Sequence, residues 1–296
     1  LQAGGRISLQ LVTGTTKVDV DGGASAWIIA IDTPYYAITD DQGRFRIDER
    51  FRLIEFFNRT AEADISRAHT DFVANASHEL RTPLASILGY LETLQDNETK
   101  IDAATSRKFI GTMNSEARRM QALVEDLMSL SRIEAEKHDA PREQVDLAAL
   151  AGIVSRDIDE VRGAGRIAYS APSGKAVILG EPGQLDQLVR NLIDNALKYG
   201  DVDKPVTVRV ENAGLKVALI VADRGPGIAR EHLPHLTRRF YRTDPGRSRA
   251  SGGTGLGLAI VKHIVERHRG DLDIASTEGV GTTVTVRFPA VDEMSY

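Results

Sequence analysis

A chain of 296 residues, 42% hydrophobic and with a net charge of −5, is long enough for two or three folded domains and has no basic block suited to nucleic acid. It has no cysteine, which excludes disulfides, thiolate metal sites and cysteine nucleophiles. The longest apolar runs, Ala26–Ile31 and Ala218–Ala222, fall far short of the roughly 20 residues that span a bilayer; no signal peptide is visible, and the chain opens on Leu1 rather than methionine. The expectation is a soluble cytoplasmic protein, or the soluble core of a longer one held at a membrane by other segments.

Residues 1–57 read as β-rich: Ile7–Val12, Ala26–Ile31, Tyr35–Thr39, Phe45–Ile47 and Leu53–Phe57 are strand-like runs. The turn signals Asp21-Gly22-Gly23, Thr33-Pro34 and Asp40-Asp41-Gln42-Gly43 stand between them. The aspartate pairs lack the register of a calcium loop and read as solvated turns. The piece from Ala26 to Asp48 resembles small β-sandwich modules related to carboxypeptidase regulatory domains. Residues Arg52 to Ala63 resemble the last strand and exit of a PAS sensor domain, and neither resemblance covers a complete domain.

Thr60 is placed to cap a long helix that runs to about Leu94, with Glu62 and Asp64 in its first turn. Its apolar residues Val73, Ala76, Leu80, Leu84, Ile87, Leu91 and Leu94 recur in steps of three and four, the stripe of an amphipathic helix. His78 lies two residues from both Ala76 and Leu80 and so points away from that stripe. Pro83 cannot donate to the carbonyl four residues back, so a bend is expected just past His78. An exposed imidazole on a rigid rod suits chemistry; a surface histidine beside an accidental kink is the alternative. After a polar connection over Asp96–Ser106, a second helix repeats the pattern with Phe109, Met113, Ala117, Met120, Leu123, Leu127 and Leu130. Two long helices and a short loop predict an antiparallel hairpin over residues 60–138. Half of each stripe then stays exposed, which pairing of two hairpins into a four-helix bundle cures; a homodimer is therefore expected.

From 144 to 290 helix and strand alternate. Helices are expected at 146–162, 183–199, 229–241 and 256–268, with strands at 166–171, 176–179, 205–211, 215–223, 271–276 and 282–288. This order predicts a two-layer α/β sandwich, and the whole chain a multidomain α+β protein. Asn191, Asn195 and Lys198 fall on one face of the second of these helices. Amide oxygens suit magnesium and the lysine suits phosphate, although an ordinary polar face has the same look. Asp223-Arg-Gly225-Pro-Gly227 ends an apolar strand, where the carboxylate is able to accept from an exocyclic amine such as that of adenine; a plain turn is the alternative. Gly252-Gly253-Thr254-Gly255-Leu256-Gly257 leads into an apolar helix whose amides suit phosphate. It follows no strand, and no GxxxxGK[ST] loop is present. The polar stretch Thr243–Ser251 before it suits a lid.

Together these motifs, from about Asp64 to Pro289, resemble the catalytic core of bacterial sensor histidine kinases, and most of all those of the phosphate-regulon type. SHELRTP (77–83) is similar to the phospho-acceptor box, and NLIDNALKY (191–199), DRGPGI (223–228), RRFYR (238–242) and GGTGLGL (252–258) to the nucleotide boxes. One departure is Leu236-Thr237-Arg238, where the family usually has Phe-Glu. The resemblance implies a gyrase/histidine-kinase ATP-binding fold with ATP and Mg2+ as cofactors. It places adenine at Asp223 with Gly225 and Gly227, the metal at Asn195 and Asn191, and the phosphates at Lys198, Tyr199, Arg242 and the Gly253, Thr254, Gly255, Leu256 and Gly257 segment. It implies autophosphorylation of His78, with Glu79 orienting the ring or taking its proton. Transfer then goes to the receiver domain of a response regulator, and Thr82 serves removal of phosphate from that partner. No nucleic acid is contacted. An ATP-operated clamp of the gyrase or mismatch-repair type, or a scaffold with a decayed site, are the rival readings.

Overall fold

The computed structural model describes residues 15–20, 24–29, 37–39, 45–47, 52–54, 59–96, 101–136, 139–243 and 253–291, with side chains from residue 72 onward. The expected strand Ile7–Val12, the turns at 21–23, 33–34 and 40–43, and residues 244–252 of the lid and glycine box lie outside the described residues, as does the end of the Leu53–Phe57 run. Two compact units emerge, Leu1–Ala76 and Ser77–Tyr296.

In the first unit β1 (Thr15–Val20) pairs antiparallel with β2 (Ala24–Ile29), Val20 opposite Ala24. Strand β1 was not expected. A second sheet takes the order β3 (Ala37–Thr39), β4 (Phe45–Ile47), β5 (Arg52–Ile54). Helix α1 (Arg59–Asp96) begins one residue before Thr60, which therefore lies inside its first turn and is not the flanking cap. It passes through Pro83 unbroken.

Helix α2 (Ala103–Ala135) starts four residues earlier than expected because Asp102 caps it. The Asp102 carboxylate accepts from the amides of Ala104 at 2.8 Å and Thr105 at 3.0 Å, and from the Thr105 hydroxyl at 2.7 Å. Those bonds hold the Asp102 pKa below the usual aspartate range, the hydroxyl's first among them. The hairpin closes through Tyr90 and Phe109, ring centroids 4.9 Å apart. The single stripe expected along α1 is two faces. Leu80, Pro83, Ile87, Tyr90 and Leu94 are buried or half-buried, whereas Leu84, Leu88 and Leu91 are exposed. On α2, Ile110, Val124 and Met128 are exposed likewise. A groove of about 710 Å3 elsewhere, and one of about 670 Å3 lined by Ile87, Leu91, Ile110 and Met113, follow the protein surface; the second runs along the hairpin.

The remainder is a mixed five-stranded sheet under three helices. The sheet order is β11 (Asp271–Thr277), β12 (Gly281–Pro289), β10 (Lys216–Ala222), β9 (Val206–Ala213), β7 (Ile167–Ser170). Only β7 and β9 run parallel. Along β9, Val206, Val208 and Val210 are buried and Thr207 and Arg209 exposed, the period-two pattern of a sheet with one covered face. Helices α3 (Leu147–Arg162), α4 (Pro182–Tyr199) and α5 (Gly257–Arg267) cover it with Leu185, Leu188, Leu192, Ile260 and Ile264.

Two expectations for this region are corrected. The strand near 176–179 is β8 (Val177–Gly180), which leaves the main sheet and pairs with an unanticipated strand, β6 (Glu143–Asp146). The expected helix over 229–241 is a run of turns with one 3-10 segment, Leu233–His235. Its bonds join residues three apart, as from Arg238 N to His235 O at 2.9 Å. Pro234 lacks an amide to continue a helix, and Phe240 turns out of it at φ 61° to donate to Gly255 O at 2.8 Å.

The last turns of α2 pack on this domain. Leu130 and Ile133 are fully buried, and each such side chain stabilises by about 1.5–3 kcal/mol. Around them Ser129 Oγ meets Gln187 Oε1 at 2.6 Å, and Arg267 Nη2 meets Glu136 Oε2 at 3.0 Å.

Candidate active site

Four of the five motifs converge at one end of α4, and the fifth reaches them across the hairpin. The α4 helix begins with the side chain of Glu181 accepting from the amides of Gly183 and Gln184, and its buried face carries Leu185, Leu188, Leu192 and Ile193. That packing turns Asn191, Asn195 and Lys198 towards α5 on the opposing face. Asn191 Nδ2 lies 3.5 Å from Gly257 O. A methyl group placed on Gly257 would sit 3.7 Å from Asn195 Nδ2 and 3.8 Å from Asn191 Oδ1, so both amides face the start of α5. Lys198 Nζ lies 5.1 Å from the Tyr199 ring centre and next to Gly253, where a methyl group would meet it at 2.3 Å.

Asp223 ends β10. Its carboxylate accepts from Gly225 N at 2.8 Å and Thr282 N at 3.3 Å. Burial pushes its pKa up, and the two amide bonds oppose that shift without cancelling it. Gly227 turns the loop back at φ 71°; a side chain there would run into Thr277 O at 2.1 Å. Gly255 at φ 76° performs the same service before α5, with Phe240 Cα 3.0 Å from where a Cβ would stand. Thr254 Oγ1 accepts from Leu256 N at 3.2 Å, which fixes the entry to α5.

His78 is exposed, as expected. Glu79 beside it is half-buried, and its Oε2 accepts from Arg119 Nη2 at 2.9 Å and from Arg242 Nη2 at 3.1 Å. Arg242, 7% exposed, also donates to Gly253 O. The arginine of the RRFYR box thus links the glycine segment to the residue after His78 within one chain. Thr82 Oγ1 donates to His78 O at 3.2 Å, one turn along.

Three residues of α2 take part that no motif marked. Arg119 grips Glu79. Asp126 Oδ2 accepts from Thr254 Oγ1 at 2.7 Å, and burial raises the Asp126 pKa despite that bond. Glu134 pairs with Arg239 and lies 3.4 Å from His263 Nε2. Burial lowers the His263 pKa, with Glu134 acting against it. Arg119 and Asp126 are seven residues apart and so share one face of α2, the only signal available in the sequence. These ties also bear on the missing Phe-Glu pair: Arg239 and Thr254 dock this loop region on α2 without it.

Two stretches of the chain match known domain families. Residues 68–136 match the His Kinase A (phospho-acceptor) domain, and residues 180–292 match the histidine kinase-, DNA gyrase B- and HSP90-like ATPase. The chain is 40% identical over 232 residues to the phosphate regulon sensor protein PhoR of Pseudomonas aeruginosa, covering 76% of this chain and 52% of that protein. It is 34% identical over 257 residues to the sensor-like histidine kinase SenX3 of Mycolicibacterium smegmatis, covering 85% and 64%. It therefore spans between about half and two thirds of the length of these relatives. Among solved structures, the Acinetobacter baumannii histidine kinase AdeS superposes with a TM-score of 0.56 at 24% identity, over 73% of this chain and 98% of that one; this likeness concerns the fold. ShkA, solved in complex with AMPPNP, superposes with a TM-score of 0.53 at 27% identity, over 75% and 46%. The chain thus carries a phospho-acceptor domain with His78 and an ATPase domain of the matched type built around its glycine segment, and over both it is similar to sensor histidine kinases, among them those of the phosphate-regulon type.

Proposed function

We propose that the protein phosphorylates His78 from ATP and passes the phosphoryl group to an aspartate on the receiver domain of a response regulator. The observation that carries this reading is Arg242, which bonds the glycine segment and the carboxylate next to His78 at once. A donor site and an acceptor helix so linked need only position the reactants and neutralise charge, which is most of what phosphoryl transfer requires.

In this reading adenine is held at Asp223, between the Gly225 and Gly227 turns. Lys198, Tyr199, Arg242 and the 253–257 segment, with Thr254 and Leu256 at the mouth of α5, hold the phosphates. A neutral ring nitrogen of His78 attacks the γ-phosphorus with its lone pair, the N–P bond forms, and the bond to the bridging oxygen breaks with its electrons leaving on ADP. Glu79 orients the ring or receives its proton.

Asn191 and Asn195 fit a magnesium ion. Asn191 spends its amide N–H towards Gly257 O, which leaves its oxygen free to ligate, and the described residues contain no group of three His, Cys, Asp or Glu that would make a closed protein cage. Two amide oxygens completed by phosphate oxygens and water suit that ion. Bound there, magnesium supplies neutralisation of the phosphate charge. The exposed Leu84, Leu88, Ile110 and Val124 support a homodimer through the hairpins, and the domain limits 60–138 and 144–290 accord with that division of labour. No helix among the described residues is long and apolar enough to cross a membrane. The phospho-acceptor match over 68–136 has no place in a gyrase-type clamp.

The test is incubation with γ-labelled ATP. Wild type is expected to gain acid-labile, alkali-stable label. His78→Ala is expected to gain none while binding nucleotide normally, because no nucleotide residue is altered. Label retained in His78→Ala would overturn the assignment.

A further inference from the structure

Glu79 Oε2 has two guanidinium partners of different kinds. Arg242 comes from the loop that also meets Gly253 O, among the groups read above as holding the phosphates. Arg119 comes from α2, across the hairpin; it is 11% exposed, and its other charged neighbour is Glu116 on its own helix, at 3.9 Å from Nη1. The two partners therefore have different fates when a triphosphate is bound. A phosphate chain bears more charge than one carboxylate and offers more oxygens to a guanidinium fork, so it competes with Glu79 for Arg242. Glu79 then loses one donor at the moment its neighbour reacts. A half-buried carboxylate released from both would swing towards water and lose its alignment with the ring.

We propose that Arg119 is a positioning residue for the phosphorylation of His78. It holds the Glu79 carboxylate in register beside His78 and keeps it there while Arg242 serves the phosphates. Arg119 sits on the rigid α2 rod, not on the loop that meets nucleotide, so its grip is independent of nucleotide occupancy. The planar fork matters as well as the charge, since a lysine ammonium at this site would lack the directional N–H that Arg119 aims across the hairpin. This inference rests on the reading of His78 as acceptor and Glu79 as its partner.

The experiment uses the full chain and the rate of label gain from γ-labelled ATP. Arg119→Ala is expected to lower kcat by about 10- to 100-fold, the scale of misplaced catalytic geometry, with KM for ATP and the oligomeric mass unchanged. Arg119→Lys is expected to recover part of that loss. Because Arg119 acts through Glu79, the double variant Glu79→Ala/Arg119→Ala is expected to be no slower than Glu79→Ala alone. Wild-type kcat in Arg119→Ala, a loss confined to KM, or a double variant slowed by the product of the two single effects would each overturn the proposal. If Arg119→Ala unfolds or falls apart, Arg119→Gln read by the same three measures decides. Label that persists in His78→Ala would remove the parent reading and this inference with it, whereas label confined to His78 with an indifferent Arg119 removes this inference alone.

Discussion

Asp223 shows how one side chain is tuned by its surroundings. Two backbone amides fix its carboxylate, yet burial dominates and lifts its pKa. As an acceptor for the adenine amine it must be ionised, so protonation removes nucleotide binding. Affinity for ATP is thus expected to fall as pH is lowered through a midpoint above the ordinary aspartate value of about 3.9, and calorimetry across that range checks it. Asp223→Asn presents a donor where an acceptor is needed; it is expected to weaken binding by about 10-fold or more and to lose the pH dependence, in line with roughly 1.5–3 kcal/mol for a charged hydrogen bond. Thr82 poses a different question. Its hydroxyl donates to His78 O, which spends its proton but leaves the oxygen able to accept from a water. Thr82→Ala is expected to slow dephosphorylation of a phospho-regulator by about 10-fold or more while self-labelling stays near wild type. Equal loss of both activities would make this threonine a purely structural neighbour of Pro83.

At the scale of the element, the hairpin divides its apolar residues between two jobs. Leu80, Pro83, Ile87, Tyr90 and Leu94 close α1 on α2, and Leu84, Leu88 and Leu91 look outward with Ile110, Val124 and Met128. The outward set is left 41–61% exposed within one chain. Charging it by Leu84→Glu with Leu88→Glu is expected to halve the mass seen by light scattering while helix content and ATP affinity persist. Ile87→Glu, at a half-buried position on the inner face, is instead expected to lower the melting temperature, since it removes part of the about 1.5–3 kcal/mol that a fully buried aliphatic side chain contributes. Unchanged mass in the outward double variant would mean that the bundle does not form through these residues.

For the whole molecule, His268 ties together parts distant in sequence. It is 4% exposed, meets Phe288 edge to face with ring centres 5.8 Å apart, and its Nε2 accepts from Glu181 N at 3.0 Å, so its Nδ1 is the donor to Ile264 O. Burial lowers its pKa. In the unfolded chain a histidine takes its proton near about 6.5, so below that value the unfolded form binds more protons than the folded one. Stability from this residue is therefore complete above about 6.5 and is lost as pH falls below it. Denaturant titrations between roughly pH 7 and 5 are expected to show that slope in wild type and a flatter one in His268→Gln. Deleting residues 1–57 is expected to leave a dimer that still labels itself, because the matched phospho-acceptor domain begins at residue 68. A monomeric or silent truncation would make that segment structural.

Much of this was legible in the chain because it is local. Period-three-and-four stripes announce α1 and α2, period-two valines announce β9, and the five motifs carry their chemistry in consecutive residues, so their family is readable without coordinates. Where local cues compete with distant partners, the sequence misleads. Residues 229–241 have helical composition, but Pro234 and the reach of Phe240 to Gly255 break them into turns. Strand β8 leaves the main sheet because β6, a stretch with little strand character, is there to pair with it. The single stripe on α1 became two faces because burial depends on which helix lies alongside. The three α2 residues at the site, Arg119, Asp126 and Glu134, belong to no sequence motif, since their partners Glu79, Thr254 and Arg239 lie 40, 128 and 105 residues away. Composition and spacing determine which groups can do chemistry; only packing decides which charges from remote segments hold them in place.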